Sequence, residues 1–337
     1  MHRQSIAGIA LALAATFLVS PSAQAQLFRA YLAPDGSDAN TCTLQQPCRL
    51  LPAALNAVAS GGEIWMLDSA NYNTGPVNIT KSVTILAVPG ALGSVVATGG
   101  DAINIATGGV SVALRNLVIV PLLGGGGLGG INMTAGNSLV VENCLLAGVA
   151  GVGIAVTTAA TVRITDATIR GGSNEAVLLA EGATATLTRV TLVDNGGRGV
   201  HVNTSAAGTL TTAYILHSTI SGNCHGVVAY STAATATVKV SVKDSLIVHN
   251  QNVGVISQSA SGASVLLSAS SNTIAGNSNG ILSNTGGKVW ASGNTVSDNV
   301  GCGMCASGGV IETAGNNSVR NNAGGDTSGT ITVIAQK

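Results

Sequence analysis

Asp166, Arg189, His217 and Asp244 follow one another at intervals of 23, 28 and 27 residues. If the chain winds in coils of that length, the four residues stack one above another on neighbouring rungs. An acid beside an arginine can grip a sugar, and an imidazole beside a carboxylate can carry a proton. The competing reading is a corner column carrying exposed ion pairs, each contributing little to stability. The sequence favours that second reading, because tuning a pKa for catalysis requires a cleft. A second set is Asp194, His201, His225 and His249, candidates for ligand binding. Asp194 and His249 belong to a column that reads Asp194, Gly222, His249, Gly276, Asp298, so its polar members lie two rungs apart, near ~10 Å, too far to pair directly. His201 follows Gly199-Val200 and is expected to point outward; His225 sits in Cys224-His225-Gly226.

The elements that position these residues come from one recurring phrase: an aliphatic residue, two variable residues, Asn, a short spacer, Gly and another aliphatic. It reads Leu192–Asn195–Gly199–Val200, Ile220–Asn223–Gly226–Val227, Ile247–Asn250–Gly254–Val255, Ile274–Asn277–Gly280–Ile281 and Val296–Asn299–Gly303–Met304. The aliphatic column extends to Ile119, Leu146, Ile169, Leu192, Ile220, Ile247, Ile274, Val296 and Val319, and the glycine column to Gly130, Gly153, Ala176, Gly199, Gly226, Gly254, Gly280 and Gly303. A period of this size marks a solenoid. It is too short for a propeller blade and lacks the leucine pattern of leucine-rich repeats. It fits a parallel β-helix, in which three short strands per coil each pair with their equivalents one coil later. Glycine is expected at tight corners that need a left-handed backbone, and Asn stacked on Asn is expected to form an amide ladder. Extra residues such as Ser205-Ala206-Ala207-Gly208 are expected to bulge out as loops.

Composition agrees with an all-β chain. Only 8% of the 337 residues are charged and 2% are aromatic, with 45 glycines; abundant Val, Ile and Thr suit strands. The formal net charge is zero, which leaves no electrostatic footprint for nucleic acid or an anionic membrane. Residues 1–25 read as a signal peptide: His2 and Arg3, an apolar run from Ile6 to Val19, and Ala23-Gln24-Ala25 before the cleavage point. No later stretch is long and apolar enough to span a bilayer. The product is therefore expected to be exported, to the periplasm or beyond. Export favours a disulfide between Cys42 and Cys48 in one polar loop; Cys302 and Cys305, three apart in Gly-Cys-Gly-Met-Cys, could form a metal or redox pair, but packing as small hydrophobes is the favoured reading and their redox state stays open. Residues 26–100 form an N-terminal cap and first coils, with a strand at 27–32 and the chain's one good helix at 48–59, stopped by Ser60-Gly61-Gly62 and placed to plug the solenoid's end. Residues 101–337 are the repeats. Asp35, Asp38 and Asn40 lack the distal acid of a calcium loop and read as an Asx-type turn; calcium has no further support, and no cofactor is implied.

The repeats, preceded by Tyr31-Leu32-Ala33-Pro34-Asp35-Gly36-Ser37-Asp38, Pro47-Cys48-Arg49 and the helix, resemble the secreted right-handed parallel β-helix repeat proteins of the pectin-lyase-like superfamily. The resemblance spans nearly the whole chain after residue 25. It implies a single-stranded right-handed parallel β-helix with an N-terminal capping helix, and a polysaccharide or cell-envelope ligand. It does not fix an activity, since that superfamily holds lyases, hydrolases, epimerases and adhesins. The acid clusters, Gly-His-Gly and Asp-Pro-His-Asp strings of its enzymes are missing, and His225-Gly226 is only a partial echo. Few aromatics remain for stacking sugars after the cap: Tyr214, Tyr230 and Trp290. The expectation is therefore a non-catalytic binding or structural module, with a polysaccharide-active lyase, hydrolase or epimerase as the alternative, using Asp166, Arg189, His217 and Asp244.

Overall fold

β-Branched residues alternate in short runs with turn residues along the chain, and a period of two places one face of each run inside. A computed structural model describes residues 26–260 and 262–334, and there these runs form three parallel sheets of 13, 11 and 11 strands wound around one core. The proposed signal peptide lies outside the described residues. Each coil visits the sheets in a fixed order, here called A, B and C. One coil runs through Thr184–Thr188 in A, Thr191–Val193 in B and Arg198–Thr204 in C. The aliphatic column expected from the sequence is the inward column of sheet B. Ile119 pairs with Leu146, Leu146 with Ile169, Ile169 with Leu192, and so on to Val296 with Val319.

The corners between sheets are built from single residues in the left-handed region. Between A and B these are Asn116, Asn143, Asp166, Arg189, His217, Asp244, Ser271 and Gly293, with φ between 49° and 65°. Between B and C they are Gly148, Gly171, Asp194, Gly222, His249, Gly276, Asp298 and Asn321. Asn, Asp and Gly tolerate this region best, which explains their frequency in both columns.

Just inside the second corner, Asn195, Asn223, Asn250, Asn277, Asn299 and Asn322 form a buried ladder. Each Nδ2 donates to the next Oδ1 over 2.8 to 3.2 Å. A second ladder lines the first corner through Ser218, Ser245, Asn272, Asn294 and Asn317. These amides satisfy corner N–H groups that no strand can reach.

The recurrent glycines prove to have another cause than the one expected. Gly199 and Gly254 do not have positive φ. A Cβ on Gly254 would sit 2.7 Å from Ile274 Cγ2 and 2.8 Å from the Gly280 carbonyl oxygen. The column is glycine because the next coil's aliphatic residue packs against bare backbone. The longer coils also differ from expectation. They do not only bulge as loops: sheets C and A both lengthen to seven residues, as in Arg198–Thr204 with Leu210–Leu216 and His225–Ser231 with Thr237–Lys243. Small residues such as Thr204, Thr211, Ser231 and Ser257 are buried there. The outward face of sheet C is widened at these coils.

The helix is shorter than its sequence signal. It covers Leu51–Ala57, with Pro52 in its first turn and Leu51, Ala54 and Leu55 buried. Val58–Met66 is already a strand of sheet A, so Ser60-Gly61-Gly62 lies within a strand instead of terminating the helix directly. Asp38 Oδ1 accepts the N–H groups of Arg49 and Leu50 ahead of the helix. The Asp38 turn thus positions the helix entry. Cys42 and Cys48 are paired. Cys302 and Cys305 are paired as well, which corrects their reading as packed thiols. Cys305 aligns with Leu282, on the outward side of the inward pair Ile281 and Met304.

Candidate functional site

The row Asp166, Arg189, His217, Asp244 does stack at the corner between sheets A and B, but only half of it pairs. Arg189 Nε and Nη2 donate to Asp166 Oδ1 and Oδ2 over 2.7 and 2.8 Å. Both side chains are about half exposed, at 55% and 48%. The Arg189 guanidinium holds the Asp166 carboxyl below its usual range. Among the described residues no side-chain hydrogen bond joins His217 to Asp244, whose carboxylate turns to Lys243 at 3.7 Å. The expected His–Asp pair is not formed, although Asp166 and Arg189 pair from corners of the same left-handed geometry. Asp166 borders an open depression of about 280 Å³ that Asn116, Asn143, Cys144 and Thr168 also line. Cys144 itself is buried, and burial pushes its thiol up to about 11, far from a reactive thiolate.

Asp194 and His249 are placed at the other corner, where packing explains their alternation with glycine. A Cβ on Gly222 would collide with Asp194 Oδ1, and one on Gly276 would sit 2.5 Å from His249 Nδ1. Each polar side chain therefore leans over the glycine of the next coil. They do not meet each other.

His201 and His225 are brought together, with two partners that column reading did not select. The residue preceding the glycine column reads Glu175, Arg198, His225 over three coils, and Arg198 pairs directly with His225 across the sheet. Arg198 Nη1 donates to Glu175 Oε1 over 2.6 Å and lies 3.4 Å from His201 Nδ1. Arginine is always a donor, so a neutral His201 accepts here at Nδ1 with its proton on Nε2, whereas the protonated ring donates from Nδ1 toward Glu175. Glu175 Oε1 lies 3.6 Å from the same Nδ1, and both side chains are only 11% exposed. The His201 ring, with Arg198 and a backbone amide, overcomes burial to hold Glu175 down to about 2. Burial pushes His225 below its ordinary value, and the nearby Arg198 and His201 push it the same way.

This patch also gathers orphaned polar atoms. Four buried side-chain atoms among the described residues lack a hydrogen-bond partner, and three of them are His201 Nε2, His225 Nδ1 and Asn203 Oδ1. All three belong to two adjacent strands of sheet C. Buried polar groups are normally satisfied, and groups this enclosed are commonly met by ordered water. Beside it, Val228, Val253 and Ile256 form an apolar cluster separate from the main core, with Tyr230 and Leu282 packed against it. The patch was legible in principle: residues preceding the glycine column read in sequence as acid, base, imidazole. No group of three or more metal-ligating side chains occurs among the described residues.

Fold and corner geometry together define a right-handed parallel β-helix protein. Residues 92–241 match the family model described as the right handed beta helix region. Solved structures of the same architecture agree. The A-module of the mannuronan C-5 epimerase AlgE6 of Azotobacter vinelandii superposes with a TM-score of 0.58 at 13% identity, covering 85% of this chain and 94% of that one. A GH136 lacto-N-biosidase from Eubacterium ramulus gives 0.55 at 11% identity, covering 91% and 68%. The pectate lyase Pel9A gives 0.51 at 12% identity, covering 92% and 78%. At such identities these likenesses speak for the fold alone. A search of curated protein sequences found no match.

Proposed function

We propose that this protein acts on a polysaccharide by proton transfer, at the patch formed by Glu175, Arg198, His201 and His225 on the outward face of sheet C. The observation that carries the reading is the trio of orphaned polar atoms beside an arginine–glutamate pair. In this reading Arg198 anchors a sugar carboxylate. His225, kept neutral at pH 7 by burial, takes the proton from the adjacent carbon. His201 accepts from Arg198 at Nδ1 and helps hold the guanidinium. Glu175 is a positioning residue that fixes Arg198. The C–H bond breaks with its proton going to His225. The electron pair then either expels the glycosidic oxygen, which is protonated by water, giving elimination, or takes a proton from water on the opposite face, giving epimerisation. Hydrolysis by two carboxylates fits less well, because one must stay protonated as the acid. Glu175 is the carboxylate of the patch, and it is ionised above a pH of about 2.

The fold neighbours, an epimerase, a lyase and a biosidase by name, support a saccharide ligand over a purely structural role. Two readings accompany this one. The helix Leu51–Ala57, packed on the first strands, serves as the N-terminal cap. The chain is exported: its paired cysteines suit an oxidising compartment, and among the described residues no helix is long and apolar enough to cross a membrane.

The test is incubation with a panel of acidic polysaccharides, followed by detection of unsaturated ends and of inverted uronates by NMR. Turnover lost in His225→Ala and kept in Arg189→Ala supports the reading. Glycan binding without turnover of any substrate returns the protein to a non-catalytic module, and turnover unaffected by His225→Ala removes the site.

A further inference from the structure

The eleven strands of sheet C contain no Asp or Glu, and Arg198 is their one Lys or Arg. Sheet A by contrast carries Arg29, Glu63, Arg115, Glu142, Arg163, Lys239, Lys243, Lys288 and Glu312 in its strands. The charges the chain possesses have been kept off the face that bears the candidate site. Arg198 is moreover already matched by Glu175, and Asp101 adds a negative charge that bonds Asn132 on the same face. Rungs are about 4.8 Å apart, close to one sugar residue of an extended chain. A homopolymeric uronate lying along the sheet would set a carboxylate opposite nearly every coil, with one cation to receive them all.

What the face offers instead changes along its length. The outward column reads Asn78, Asn104, Asn132, Ala155 and Leu178 up to His201, and then Val228, Ile256 and Leu282. On one side Leu178 and Ala155 adjoin the patch, and the amides Asn132, Asn104 and Asn78 beyond them suit hydroxyl groups. On the other side the side chains are branched aliphatics with Tyr230 at their margin. Sugar rings stack on flat aromatic faces, whereas branched aliphatics pack best around methyl groups.

We propose that the glycan taken here is a low-charge heteropolymer. One isolated uronate docks at Arg198, and its neighbours over Val228, Ile256 and Leu282 are neutral and methyl-bearing, as 6-deoxy sugars or O-acetyl esters. The proposal rests on the reading that sheet C is the glycan face, and it narrows the substrate class. A single ion pair gives a shallow salt dependence. Each buried methyl contributes roughly three- to fivefold in affinity.

The experiment is calorimetric titration of the full chain with three polymers. These are native gellan, whose repeat holds one glucuronate among neutral sugars that include a 6-deoxyhexose and acyl esters; alkali-deacylated gellan; and polymannuronate. The expected result is gellan binding at least tenfold tighter than polymannuronate, little changed by salt, and weakened roughly three- to fivefold by Ile256→Ser. Loss on deacylation assigns the methyl to the ester, and retention assigns it to the deoxy sugar. Leu282→Ser provides the same readout if Ile256→Ser fails to fold. Tighter binding of polymannuronate with a steep salt dependence overturns the proposal while leaving a glycan site in place. Absence of binding to all three polymers overturns the glycan face itself, and with it the proposal.

Discussion

Replacing Asn250 by alanine tests the internal architecture most sharply. Its side chain is fully enclosed and makes four hydrogen bonds. Oδ1 accepts from the Asn223 N–H at 3.1 Å and from Asn223 Nδ2 at 3.2 Å; Nδ2 donates to Asn277 Oδ1 at 3.0 Å and to the Ile220 carbonyl at 3.2 Å. Asn223 Nδ2 keeps the Leu192 carbonyl at 2.9 Å, and Asn277 Oδ1 keeps the Asn250 N–H at 2.9 Å. The Asn223 N–H loses its partner in a dry corner, which costs about 1–3 kcal/mol. The other lost bonds add about 0.5–1.5 kcal/mol each. A total of about 2.5–7.5 kcal/mol is a large part of the ~5–15 kcal/mol that holds a typical fold. Because a solenoid couples mainly nearest neighbours, the damage should concentrate at coils containing Asn223 and Asn277. Urea unfolding gives the global change, and native-state hydrogen exchange at Asn223 and Cys224 gives the local one. Asn104→Ala, in an exposed amide contact of 3.3 Å with Asn78, is the control and should stay within about 0.5 kcal/mol. A loss below about 1 kcal/mol for Asn250→Ala, with unchanged exchange at Asn223, would refute the ladder's role.

Other outcomes follow from the same geometry. Arg189→Ala should change stability by less than about 1 kcal/mol in urea unfolding, since its pair with Asp166 is half exposed. Gly254→Ala should cost about 1–3 kcal/mol by the same assay, because its new methyl meets Ile274 and the next backbone. His225 has a folded pKa below its unfolded value of 6.5, so between the two the unfolded chain binds the extra proton. Its contribution to stability is complete above about 6.5 and is lost as pH falls through the lower, folded value. His225→Gln should flatten that part of the stability–pH curve. Glu175→Gln should leave Arg198 without its anion, lowering activity while the bound-state NMR signal of the His201 ring proton shifts or broadens.

Much of this molecule was legible in its sequence because a solenoid converts period into position. Each aliphatic residue from Ile119 to Val319 lies where its column places it, and the Asn ladder follows from the same register. The glycine column was located correctly, yet its cause was hidden: Gly254 yields to Ile274 in the next coil, a contact between residues 20 apart in sequence. The candidate row from Asp166 to Asp244 was a real column and, as the favoured reading had it, a corner one; which of its neighbours pair could not be read from side-chain chemistry. Glu175, Arg198, His201 and His225 were missed as a group because they combine one column with a diagonal neighbour, and because Glu175 and Arg198 fill a position where other coils carry Val253 or Asn279. The Cys302–Cys305 pair was not fixed by the sequence, because a spacing of three leaves a disulfide and two packed thiols equally open until the backbone is known.

The most direct measurement of the central claim is turnover by four variants on one acidic polysaccharide substrate. Activity should fall by at least a hundredfold, on the order of a general base's contribution, in His225→Ala. It should fall comparably in Arg198→Ala, and remain within twofold of wild type in Asp166→Asn and His217→Ala. The reverse pattern, with the corner row indispensable and His225→Ala fully active, would place the chemistry on the other side of the solenoid and contradict the account.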